Sequence, residues 1–74
     1  MIKANDYVDI EVFGQKFVAK IVFVGNLDKN IRKISVLLIH PKLSKEIFSL
    51  VVDVESDVRV LSKEEIRVIR CLYE

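Results

Sequence analysis

Residues 6–24, DYVDIEVFGQKFVAKIVFV, decide the fold. Two runs of alternating apolar side chains flank a Gly14-Gln15 pair. Glycine accepts the positive φ required at the first central place of a type II′ turn, so the sequence predicts a hairpin turning at Gly14-Gln15. Val12 then faces Phe17, Ile10 faces Ala19 and Val8 faces Ile21. These six residues share one face because side chains alternate along a strand. On the other face Asp9 would meet Lys20 as an opposite-charge pair. A one-residue slip would turn the whole apolar set to the wrong side, which fixes the register.

Working outward, Gly25-Asn26-Leu27-Asp28-Lys29-Asn30 reads as a polar loop. Ile31 to His40 reads as a third strand with Ile34, Val36 and Leu38 in one parity and Leu37 and Ile39 in the other. Apolar side chains on both faces call for cover on both sides. Pro41 should stop this strand, and His40 to Lys45 is a second connection. Glu46 to Val54 alternates as a fourth strand, Glu55-Ser56-Asp57 as a turn, and Val58 to Leu61 as a fifth. Ser62-Lys63-Glu64-Glu65 fits a capping box opening a helix over 62–73, with a strand over Glu65–Tyr73 as the alternative. Ile66, Ile69 and Tyr73, widened by Leu72, form its apolar stripe.

At 74 residues the chain is expected to form one small domain, residues 1–74. Twelve Val and nine Ile, with no Trp and no Thr, favour strands. Cys71 is the only cysteine, so neither an intrachain disulfide nor a thiolate zinc site is available, and a reducing, cytoplasmic setting is expected. Abundant Lys and Glu beside a single glutamine is a pattern of thermophile proteins, and an archaeal source fits it. Twelve basic against eleven acidic residues leave a net charge of +1, far below that of a DNA-coating protein. No signal peptide is recognisable before Asp6, and apolar runs such as Val36–Ile39 are too short to cross a bilayer, so no membrane partner is expected.

Five consecutive antiparallel strands and a terminal helix are how small barrels read. The strand Val8-Asp9-Ile10-Glu11-Val12, the alternating Phe17-Val18-Ala19-Lys20-Ile21, the central Val36-Leu37-Leu38 and the final Val58-Arg59-Val60-Leu61 resemble the SH3-like barrel superfamily, and within it the Tudor-type modules. The resemblance spans about residues 6–62 and rests on hydrophobic spacing. It implies an all-β, five-stranded antiparallel SH3-like barrel with a short C-terminal helix. Methyl-lysine readers of that group use a cage of several aromatics, for which only Tyr7 and Phe13 stand near the first strand and turn. The archaeal chromatin barrels of similar shape are Lys-rich, unlike this chain. The fold therefore carries over and no binding residue does.

No pair of groups suited to acid–base or nucleophilic work is recognisable, so neither an enzyme nor a bound cofactor is expected. His40, before Pro41, reads as a rim residue, and Cys71 as a small buried hydrophobe. Asp53, Glu55 and Asp57 read as turn-solvating carboxylates without the pattern of a calcium loop. Gly14 and Gly25 stand alone, so no phosphate-binding glycine loop is present. Two surfaces remain. Lys29, Arg32 and Lys33, extended by Lys20 and Arg59, could meet the phosphates of a nucleic acid. Phe13, Val18, Val22 and Val24, with Leu37 and Ile39, suggest a second apolar face that either the helix covers or a protein partner or second copy uses. The sequence thus favours a non-enzymatic binding module in a nucleic-acid or nucleoprotein assembly, with a homo-oligomeric assembly subunit as the alternative.

Overall fold

The structure, a computed structural model, describes residues 2–40 and 45–73. Five strands, β1 (Tyr7–Val12), β2 (Gln15–Asn26), β3 (Ile31–His40), β4 (Phe48–Asp53) and β5 (Val58–Val60), precede one helix, α1 (Lys63–Tyr73). They form a single antiparallel sheet ordered β4-β3-β2-β1-β5. The expected strand stop at Pro41 and the middle of the 40–45 connection lie outside the described residues.

The first hairpin forms, with its turn one residue earlier than expected. Val12 faces Gln15, Ile10 faces Phe17 and Val8 faces Ala19. Phe13 (φ 52°) and Gly14 (φ 77°) are therefore the central residues. Positive φ at both is the signature of a type I′ turn, whose twist matches that of the strands it joins. The shift moves the pairing by two positions and so preserves parity. Val8, Ile10, Val12, Ala19 and Ile21 are all buried in one cluster, with Phe17 packed against it. Asp9 faces Val18, not Lys20, and the opposite-charge pair is Glu11 with Lys16.

The β2–β3 pair carries two irregularities that shape the sheet. Ile21 faces Val36 but Phe23 faces Ser35, so Val22 is an extra residue on β2. Ala19 faces Leu38 while Val18 faces His40, so Ile39 is extra on β3. A bulge bends its strand and reverses the side-chain alternation beyond it. Val24, assigned by simple alternation to the outer set, therefore packs against the core, and Phe23 turns outward. Leu38 and Ile39, consecutive in sequence, are both buried, each in a different cluster. β2 also runs two residues into the expected loop, through Gly25 paired with Lys33 and Asn26 paired with Arg32.

The main core lies on one side of the sheet, where Ile21, Ile34, Val8 and Val36 are fully enclosed. Burying an aliphatic side chain of this size contributes roughly 1.5–3 kcal/mol. On the opposite side α1 covers a smaller cluster in which Ile66 and Ile69 pack on Tyr7, Ile39, Leu61 and Val18. The capping box is formed: Glu65 N–H donates to Ser62 Oγ at 3.2 Å, and Ser62 N–H donates to Glu65 Oε1 at 3.0 Å. Two helix expectations are corrected. Leu72 is 66% exposed, and Cys71 is exposed, because a helix of three turns resting on a curved sheet buries only a narrow stripe. Tyr73 stacks its ring 5.0 Å from that of His40.

Candidate functional site on the outer sheet face

Because the helix covers only part of the outer face, a strip of β2–β3–β4 remains open. Cross-strand rows define it: Lys20 beside Leu37, then Phe23 beside Ser35 and Ser49, then Gly25 beside Lys33 and Val51. The bulge at Val22 places Phe23 here with 58% of its surface exposed. The ring leans over Gly25, where a Cβ would stand 3.3 Å from Phe23 Cε2 and 3.4 Å from the Lys33 carbonyl oxygen. A residue without a side chain leaves room for the exposed ring beside the strand. Ser35 and Ser49 hydroxyls meet at 3.5 Å in the adjoining row. An aromatic platform flanked by lysines and hydroxyls offers stacking, charge and hydrogen bonding in one place.

The five basic residues singled out from sequence are sorted by the fold. Lys33 and Lys20 lie on this strip, Lys20 with its Nζ 5.8 Å from the Tyr7 ring centroid. Lys29 stands in the loop at the strip's end, and its own N–H donates to Asp28 Oδ1 at 2.7 Å. None of the three enters an ion pair with a described residue. Arg32 departs from the group: its parity is that of Ile34, the opposite face from Lys33. Its Nη1 donates to the carbonyls of Asp28, Lys29 (3.0 Å) and Ile31 (3.1 Å), clamping the β2–β3 loop. Arg59 stands on β5, with β1 between it and Lys20.

Arg59 is also committed to carboxylates. Its Nη2 donates to Asp9 Oδ2 at 2.9 Å and to Glu65 Oε2 at 3.0 Å, while Nη1 reaches Glu65 Oε1 at 3.2 Å. These hydrogen bonds, to Glu65 above all and then to Asp9, raise the guanidinium further above its usual range. Reciprocally, Arg59 above all, helped by the Ser62 N–H, lowers the Glu65 carboxyl to about 2. The network ties β1, β5 and the start of α1 together on an exposed surface.

The residues proposed for an apolar interface are likewise divided. Ile39 is buried and Val18 half-buried beneath α1, so the helix takes up most of that part of the second face. Leu37 is half-buried beside Lys20, Val22 is partly exposed at the bulge, and Phe13 stands 93% exposed at the hairpin tip. Tyr7 and Phe13 cannot form an aromatic cage. They flank β1 at opposite ends, about 20 Å apart at strand rise, and Tyr7 is buried under the helix.

Asp53, Glu55 and Asp57 build their turn: Asp57 Oδ2 accepts the Asp53 N–H at 2.9 Å, and Asp53 Oδ1 accepts the Glu55 N–H at 2.9 Å. Among the described residues no group of three or more His, Cys, Asp or Glu is placed to hold a metal ion. No helix among them is long and apolar enough to cross a membrane. Phe23 is the residue that sequence reasoning missed. Simple alternation puts it in the core with Phe17, Ala19 and Ile21, and only its closeness to Gly25 hinted at an outward ring. No family model, curated protein or solved structure matches the chain.

Proposed function

We propose that the chain is a non-enzymatic small barrel of SH3-like type whose outer β2–β3–β4 face contacts single-stranded nucleic acid. The barrel reading is supported by the strand order, the two bulges in the β2–β3 pair and the main apolar cluster on one side of the sheet. The observation that carries the functional reading is the exposed Phe23 ring lying between Lys20 and Lys33 on one face. Bases stack on such a ring whatever their identity, at roughly 1–3 kcal/mol each, while lysines follow the backbone. The near-neutral net charge fits a local contact strip within a larger assembly better than a coat along a duplex. Fluorescence anisotropy with a short labelled oligothymidylate tests it: Phe23→Ala should weaken binding about 5- to 100-fold. Equal affinity for the variant would refute the stacking role.

A second reading, assembly through apolar contact, is supported by Phe13, which holds a bulky exposed ring in the left-handed region at the hairpin tip. Sedimentation of the wild type against Phe13→Ala tests it, with loss of a dimer or higher species as the supporting result.

A further inference from the structure

β4 and β5 are consecutive in sequence yet end the sheet on opposite sides, each with one unpaired edge among the described residues. Between them lies a cleft of about 600 Å³, walled by Leu50, Val51 and Val52 on one side and Asp9, Ile10 and Val58 on the other. That volume is in the range of ligand sites.

The backbone directions can be read from two hydrogen bonds. Val54 N–H donates to the Asn30 carbonyl at 2.9 Å. Alternation along an antiparallel ladder then turns Val52, Leu50 and Phe48 toward β3, and Asp53, Val51 and Ser49 away from it. Asp53 spends its groups on the turn, its N–H on Asp57 Oδ2 and its carbonyl on the N–H groups of Ser56 and Asp57. Among the described residues, the outward N–H and carbonyl groups of Ser49 and Val51 have no such use. On the facing strand, Leu61 N–H donates to the Tyr7 carbonyl at 2.9 Å, which by the same alternation turns Val58 and Val60 away from β1. Exposed edges are normally blunted by lysine, proline or a bulge. β4, Phe-Ser-Leu-Val-Val-Asp, has none of these.

We propose that this cleft receives an extended peptide segment rich in lysine or arginine, which adds a strand along Ser49–Val51. The lining carries four carboxylates, Asp9, Glu11, Glu55 and Asp57, against Lys16 and Arg59. Arg59 is already held by Asp9 and Glu65, and Lys16 stands opposite Glu11. Glu55 and Asp57 are left as the surplus, so the complementary peptide is cationic. Main-chain bonds to Ser49 and Val51 would give affinity, and alternate basic side chains would reach the acidic rim. The surface adjoins the Phe23–Lys33 strip at Ser49 and Val51 but uses their backbone edge and not the strip's outer face, so the inference stands whether or not nucleic acid binds there.

The test uses the full chain and synthetic peptides of about eight residues. An alternating lysine–valine peptide is compared with its glutamate–valine counterpart and with a version N-methylated at alternate residues, which cannot pair as a strand. The expected result is binding of the first peptide, at least tenfold weaker binding of the other two, and amide shift changes concentrated at Ser49, Val51 and Val58. Val51→Pro should abolish binding while leaving the β3 ladder intact, because its N–H points away from β3. Equal binding of the N-methylated peptide, or shift changes at Phe23 and Lys33 instead, would overturn the proposal. So would protection of the Ser49 and Val51 amides in the peptide-free protein together with a dimeric mass, since the occupant would then be a second copy.

Discussion

The Phe23 ring lies across Gly25, close enough that a Cβ there would come within 3.3 Å of Cε2. A bulge at Val22 aims the aromatic outward, and a glycine two residues later gives it room. Gly25 does not need positive φ, so its role is space and not backbone freedom. Gly25→Ala should therefore fold. The usual strand preference for alanine, about 0.5–1 kcal/mol, would be offset by crowding of the ring. The expected outcome is a stability change within about 1 kcal/mol, a tilted Phe23 visible in ring proton shifts, and weaker oligonucleotide binding.

Ile21 and Phe23, on either side of the Val22 bulge, should respond very differently to truncation. Ile21 is fully buried, so Ile21→Ala should cost about 2–5 kcal/mol in denaturant unfolding. Phe23→Ala should cost under about 1 kcal/mol, where a core phenylalanine would cost about 3–5. Similar large losses at both would place Phe23 in the core and remove the bulge.

Phe13 occupies the left-handed region at 93% exposure, a conformation costing on the order of 1 kcal/mol for a bulky side chain. Asparagine before glycine is the preferred pair in a type I′ turn. Phe13→Asn should raise stability by about 1 kcal/mol, or about 4–8 °C in Tm for a domain of this size. A loss of stability would show that the ring makes contacts that the hairpin tip does not display.

Glu65 titrates at about 2 in the folded chain, below the ordinary carboxylate value of 4.5. A folded pKa that is depressed adds stability present above the unfolded pKa and lost as pH falls through the folded one. Stability should therefore decline between about pH 4.5 and pH 2. Glu65→Gln keeps the capping hydrogen bond but not the charge, and its unfolding midpoint should vary less across that window. The effect is modest because the Arg59 network is exposed and screened by solvent.

Much of the fold was legible because period-two alternation needs only side-chain polarity. It locates β1, β3 and β5 within a residue, and Ser62-Lys63-Glu64-Glu65 marks the helix start. The turn position is not legible in this way: a phenylalanine in the left-handed region is disfavoured, so the sequence points to Gly14 as the first central residue, whereas it is the second. The bulges at Val22 and Ile39 leave no mark on composition, and everything beyond Val22 on β2 changes face. Cationic side chains are ambiguous in another way. Lys33 and Arg32 are neighbours in sequence, yet alternation separates them, and Arg32 and Arg59 are engaged by carbonyls and carboxylates that only the folded chain assembles.

The most direct test of the outer-face account is a salt titration of oligothymidylate binding by the intact chain. With Lys20, Lys29 and Lys33 on phosphates, log K should fall against log salt with a slope of about −2, or −0.7 per contact on a single strand. Lys33→Glu should flatten that slope by about 0.7, and adding Phe23→Ala should abolish binding. No detectable binding at about 20 mM salt, where phosphate contacts are strongest, would contradict the account.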